Sequence, residues 1–185
     1  LLDYAVNLQR NIKNPDRLHD VITDYNPPAS WRPRKADKAS VYRTFWKYYL
    51  RQVIIKREWV ELAGLCESIL YGSGYDDIES EYRTYCRPYA YEYENILSYF
   101  VFRYFLKGVF DRDVLTKVKM AIVSTLMIMQ CDMAVWKRNG GSLSFTERVD
   151  IAHLYSREVE HSEENFAALC KLFARKKVFD EAGLD

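Results

Sequence analysis

No proline follows Pro88, and beyond it apolar residues recur at helical spacing rather than in alternation. A proline inside a helix removes a hydrogen bond and clashes with the preceding turn, so the second half is free to run in long helices. Ile96, Leu97, Phe100, Val101, Tyr104 and Phe105 make a broad apolar arc on a helix spanning Tyr91 to Gly108. An arc that wide predicts a helix nearly enclosed by others. The longest helix is expected from Asp111 through Val118, Leu126 and Met129 to Trp136, ended by Gly140-Gly141. No stretch alternates as a half-buried strand does, and no Asn-Gly pair sits between two alternating apolar runs. The fold class is therefore all-α, a multi-helix bundle of about seven to eight helices in a single domain.

The remaining helices follow from their start and stop signals. Leu2 to Asp24 reads as two short helices divided at Asn14-Pro15, with Asn14 as cap and Pro15 at the first position. Lys38 to Lys56 and Glu58 to Tyr71 fit two more, the second stopped by Gly72-Ser73-Gly74, and Asp76 to Cys86 another. Ser144-Phe145-Thr146-Glu147 is a capping box opening a helix to about His161. Ser162 can cap a last helix, with Glu163 and Glu164 in its first turn and Phe166, Leu169, Cys170 and Phe173 as its apolar stripe. Residues 1–25 are thus an N-terminal helical segment, 26–37 a loop rich in proline and basic residues, 38–179 a helical core and 180–185 a frayed tail.

Composition narrows the function. With 49% hydrophobic and 29% charged residues the chain can bury a sizeable core and stay soluble, and its net charge of +1 marks no general polyanion binder. The 15 tyrosines need hydroxyl partners when buried, which places many at the core's edge. Cys66, Cys86, Cys131 and Cys170 form no CxxC pair; reduced cysteines in a cytoplasmic protein are the simplest reading, with no metal site in this chain. The most apolar stretch, Met120 to Met129, is too short to cross a bilayer and reads as a buried core helix. There is no signal peptide, and a start at Leu1 inside a helix suggests a fragment.

Three regions are candidates for chemistry. Between Trp31 and Arg57 nine Lys or Arg residues stand against Asp37 alone, interleaved with aromatics. Arg43, Lys47 and Arg51 share one helix face, suited to an acidic partner surface or a single-stranded nucleic acid, or else to a solvated face pairing with the acids of 76–94. The near-zero net charge argues against the nucleic acid. The run from Tyr155 to Ser162 holds Glu158-x-x-His161, with Asp150-x-x-His153 upstream. An acid and a histidine three apart share a helix face, as in carboxylate-bridged di-iron bundles, but two successive pairs on one helix cannot close around one centre. The run reads either as a helix-end network or as the lining of a functional groove. At Tyr91-Glu92-Tyr93-Glu94-Asn95 the acids either answer the helix dipole or point into the bundle. No Gly-rich loop follows a strand, so no Rossmann-type methyl-donor site is visible.

Glu94-Asn95-Ile96-Leu97, followed by an aromatic-rich helix, resembles the Glu-Asn-Tyr-Leu region of flagellin lysine-N-methylases. The resemblance continues through Lys117-Val118-Lys119-Met120-Ala121 and is strongest from Tyr155 through Arg157, Glu158 and His161 to Asn165. It covers residues 88–179. The resemblance implies the C-terminal half of a bacterial enzyme that methylates flagellin lysines with S-adenosylmethionine. Family members carry an N-terminal cysteine cluster assigned to a metal or iron–sulfur centre, which this chain lacks. On this reading the domain shapes the active-site groove or grips flagellin. Glu158 or His161 would accept the lysine proton, and Glu94, Asn95, Tyr155 and Arg157 would line the groove. The alternative is a non-catalytic helical module docking a partner through Arg43, Lys47 and Arg51.

Overall fold

The computed structural model describes residues 1–24, 26 and 37–175. The helices are α1 (Leu2–Asn11), α2 (Pro15–Thr23), α3 (Lys38–Tyr49), α4 (Arg57–Ile69), α5 (Tyr75–Cys86), α6 (Ala90–Asp111), α7 (Val114–Arg138), α8 (Phe145–Tyr155) and α9 (Glu163–Arg175). A 3-10 turn, Arg87–Tyr89, joins α5 to α6, and a π-helical turn, Ser156–Glu160, prolongs α8. No strand is present among the described residues, so the chain is the all-α bundle its periodicity predicts. The loop expected at 26–37 lies almost wholly outside the described residues, as do the end of the core and the tail at 180–185.

The local signals act as expected. Asn14 accepts the Arg17 N–H ahead of Pro15. Asp37 and Asp113 accept from Ser40 and Thr116 to open α3 and α7. The Ser144 and Glu147 side chains satisfy each other's backbone in a full capping box. Each such cap contributes about 1 kcal/mol. Gly140 and Gly141, both at positive φ, turn the chain out of α7. Arg112 also takes a left-handed conformation between α6 and α7, and Gln9 of α1 braces that corner, donating to Arg112 O and accepting from Leu115 N.

α7 is the axis of the bundle, packed against α1, α4, α5, α6, α8 and α9. By length and composition it would suffice to cross a membrane, so the Met120–Met129 stretch belongs to a longer apolar helix than its own extent suggested. Its most apolar window is 83% buried inside the bundle, which is the pattern of a core helix. A small cluster of Ala5, Leu8, Val114 and Val118 ties α1 to the start of α7; the remaining core is continuous.

Four expectations are corrected. First, many tyrosines do sit at the core's edge, among them Tyr48, Tyr85, Tyr89 and Tyr93, but others lie deeper. Tyr49, Tyr71, Tyr82, Tyr104 and Tyr155 are fully buried, because their hydroxyls largely find partners inside: Tyr49 with Tyr155 at 2.9 Å, Tyr155 with Ser124 at 2.8 Å, and Trp46 with Tyr71 at 3.1 Å. Second, α3 stops at Tyr49, not Lys56. The β-branched run Val53-Ile54-Ile55 disfavours a helix, and both peptide groups of Val53 and the Ile55 N–H are taken by residues more than a hundred positions away. Third, α6 is not enclosed: Tyr99, Phe102, Leu106 and Phe110 face solvent, Phe102 77% and Phe110 89% exposed. Its apolar arc is wider than its neighbours cover. Fourth, the basic face of α3 pairs in part with α4 rather than the 76–94 acids: Arg43 binds Glu67 at 2.8 Å and the Tyr71 carbonyl, while Lys38 does reach Glu79 at 2.8 Å.

Candidate functional site

A carboxylate inside the most apolar helix must find partners or stay protonated. Asp132 of α7 is such a group, 2% exposed. Tyr93 of α6 donates to its Oδ2 at 2.6 Å, and Tyr82 of α5 lies 2.6 Å from the Tyr93 hydroxyl. With the Tyr93 proton committed to Asp132, Tyr82 is the donor to Tyr93, and the relay points from α5 through α6 to α7. Asp132 Oδ1 has no hydrogen-bond partner. Burial pushes the Asp132 carboxyl from 3.8 up to about 7; the Tyr93 hydrogen bond and the Arg148 charge pull the other way, and Glu92 pushes with burial.

Asp132 lines a cavity of about 420 Å³ between α6 and α8. Tyr91, Tyr93 and Phe145 supply aromatic walls, and Ile96, Val149 and Ala152 aliphatic ones. Arg148 grips Glu92 with two hydrogen bonds, 2.8 and 3.0 Å, fixing α8 against α6. The same guanidinium binds the Leu143 carbonyl at 2.9 Å and stacks 4.4 Å over the Tyr89 ring. Tyr85 holds both peptide groups of Leu143 at 3.0 Å. The walls are thus preset by the loop before α8 and by one bidentate ion pair. Acid, aromatic faces and an apolar channel suit a cation with an aliphatic stem.

A second cavity, about 510 Å³, opens between α4 and α8. Lys56, Arg138 and Arg157 face Glu58, Glu61 and Asp150 across it, and His153 lines both cavities. It is larger, but among the described residues no buried polar atom without a partner belongs to it, so the Asp132 cavity is the stronger candidate.

The residues singled out from sequence do not converge. Glu158 is 2% exposed, and its carboxylate accepts the Ile55 N–H at 3.0 Å and the Lys56 N–H at 2.5 Å. Asn165 completes that clamp, accepting from Val53 N at 2.9 Å and donating to the Val53 and Glu158 carbonyls at 2.8 Å. His161 is exposed at the end of the π turn. Tyr155, expected along a groove, lies in the core between Tyr49 and Ser124 because its hydroxyl has partners there. Arg157 lines the α4–α8 cavity and Asn95 the α6–α8 cavity, while Glu94 is exposed on α6 outside both. Lys47 and Arg51 are exposed. Among the described residues no group of three or more His, Cys, Asp or Glu is placed to hold a metal, and all four cysteines are free thiols. Asp132 was missed. Its signal was a lone acid one helical turn before Trp136, which reads equally well as the end of an apolar stretch.

The model of the FliB lysine N-methylase C-terminal domain matches residues 3–184. The chain belongs to that family. No curated protein and no solved structure matches it. The FliB match takes in the first half as well as the 88–179 stretch that carries the resemblance in sequence, so α1 to α5 belong to the same FliB unit as the cavity-bearing helices. Membership associates the domain with a lysine N-methylase.

Proposed function

We propose that this FliB C-terminal domain receives the acceptor lysine in a protein lysine N-methyltransferase that modifies flagellin in the cytoplasm with S-adenosylmethionine as methyl donor. The observation that carries the reading is the cavity between α6 and α8, with aromatic walls and a buried carboxylate. Lysine methylation requires an aliphatic channel for the side chain, removal of the ammonium proton and exclusion of water from the amine. Tyr91, Tyr93 and Phe145 would flank the stem, and Asp132 would meet the charged end. The donor fits less well. Its carboxylate needs a cationic partner, and Arg148, among the described residues the one lysine or arginine lining this cavity, is already held by Glu92. No donor site is therefore assigned within it.

Alanine at Tyr91 and Phe145 in the complete methylase should raise the KM for flagellin about tenfold, the loss of roughly 1.4 kcal/mol of contact, with kcat little changed. An unaltered KM would sink the reading. A docking role favours the exposed faces instead: Lys47 and Arg51 on α3, as the basic run suggests. Reversing both charges would then abolish partner capture without touching the chemistry.

A further inference from the structure

We infer that Asp132 is the proton acceptor of this site: its carboxylate takes the proton of the lysine ammonium entering between α6 and α8, and the Tyr82–Tyr93 hydroxyl pair holds it oriented. The inference rests on the reading of the cavity as a lysine receptor, and adds a residue and a direction of proton movement.

Three observations converge. Asp132 belongs to the cavity wall. One of its oxygens is engaged and the other is not: Oδ2 accepts from Tyr93 at 2.6 Å, and Oδ1 is buried without a partner. A buried polar atom left unpaired in a native fold calls for an explanation, and an incoming N–H supplies one. The other carboxylate of the cavity is spoken for, since both oxygens of Glu92 bind Arg148. His153 also lines the cavity but is exposed to water.

The environment makes the transfer feasible. An ordinary carboxylate is too weak a base for a lysine ammonium, the two lying about six units apart. Burial pushes Asp132 up to about 7, which narrows that gap, and the apolar walls narrow it further by disfavouring the ammonium. The charged and titratable groups around Asp132 are Tyr82 and Cys86 of α5, Tyr93 and Glu92 of α6, Cys131 beside it on α7, and Arg148 and His153 of α8. The step balances as ammonium plus carboxylate giving neutral amine plus carboxylic acid. The amine lone pair then forms the new C–N bond as the methyl–sulfur bond of a sulfonium donor breaks. That bond's electrons stay on sulfur, the product nitrogen carries the positive charge, and Asp132 returns its proton to solvent. Tyr93 is a positioning residue: its hydrogen bond fixes Oδ2, leaving Oδ1 for the amine.

The test is the pH profile of kcat for flagellin methylation by the complete enzyme, as wild type, D132N and Y93F, with direct titration of the Asp132 carboxyl by carbon-13 NMR. The probe for the titration is Nα-acetyl-lysine methylamide. The expected wild-type rate rises with pH through about 7. D132N should lower kcat about 100-fold or more and abolish that limb, with KM within about threefold. Y93F should keep the limb and move it to higher pH, because the lost hydrogen bond favoured the carboxylate. In the wild type, the bound lysine probe should pull the Asp132 titration to lower pH. A D132N enzyme with near-normal kcat, or an Asp132 titration indifferent to a probe that does bind, overturns the inference alone. A probe that perturbs no cavity residue, together with an unchanged KM in the Tyr91 and Phe145 variants, overturns the lysine-receptor reading itself. If D132N does not fold, the wild-type titration still decides.

Discussion

Glu158 and Asp132 are equally buried and put to opposite uses. Glu158 spends both oxygens on backbone N–H groups of the Arg51–Lys56 connection, where Asn165 takes two of the remaining peptide groups. Each of its oxygens already has a partner. Asp132, a residue of the cavity wall, spends one oxygen on Tyr93 and leaves the other buried and unpaired. A saturated carboxylate holds a structure together, whereas a half-satisfied one costs stability and retains capacity for a ligand. The sequence pattern around Glu158 carries the family resemblance, yet Asp132 is the acid that has an oxygen left to offer a ligand.

The largest effect that would break this contrast is at Glu158. Glu158→Ala removes two charge-assisted hydrogen bonds and strands two backbone donors, and should cost about 4 kcal/mol of unfolding free energy; Asn165→Ala should cost about 2 kcal/mol. Chemical denaturation measures both. A Glu158→Ala protein of unchanged stability but dead in methylation would return Glu158 to a catalytic role and reverse the comparison.

Asp132→Asn should do the opposite and stabilise. The folded-state carboxyl titrates at about 7 against 3.8 unfolded, so the native state holds the extra proton between those values and stability falls as pH rises through that window. The shift alone amounts to roughly 4 kcal/mol above pH 7; the new amide is imperfectly paired, so a gain of about 2 kcal/mol is expected. It should vanish below about pH 4. Thermal melts across that range check the sign, and a variant destabilised at pH 8 would mean that Asp132 is as structural as Glu158.

The smallest effect sharpens the contrast by exclusion. Lys47 and Arg51 are exposed, so reversing their charges should change stability by no more than about 0.5 kcal/mol. On the proposed function, any loss of flagellin methylation in that variant would then report on docking, measurable as a change in association rate with ionic strength.

Much of the fold was legible because its signals are local. Asn14-Pro15, Ser144 with Glu147 and Gly140-Gly141 act within a turn of themselves, and helical period needs only a window of the chain. The misses share one cause. Tyr49 ends α3 because Ile55 and Lys56 find Glu158 across 103 and 102 positions. Tyr155 is a core residue because Tyr49 meets it across 106. Asp132 becomes a candidate site only when Tyr93 and the α8 wall close over it. Residues brought together from remote positions leave no periodic trace, and at Tyr155-Ser156-Arg157-Glu158 a dense polar run looked like a site when half of it was turned inward.

The Glu158–Asn165 clamp also sets how this part of the molecule breathes. The amides of Val53, Ile55 and Lys56 belong to no helix, yet each has a side-chain acceptor. In deuterated water they should exchange slowly, like interior helix amides, and at a common rate, since freeing one means parting the α3–α4 connection from the π turn and the start of α9 together.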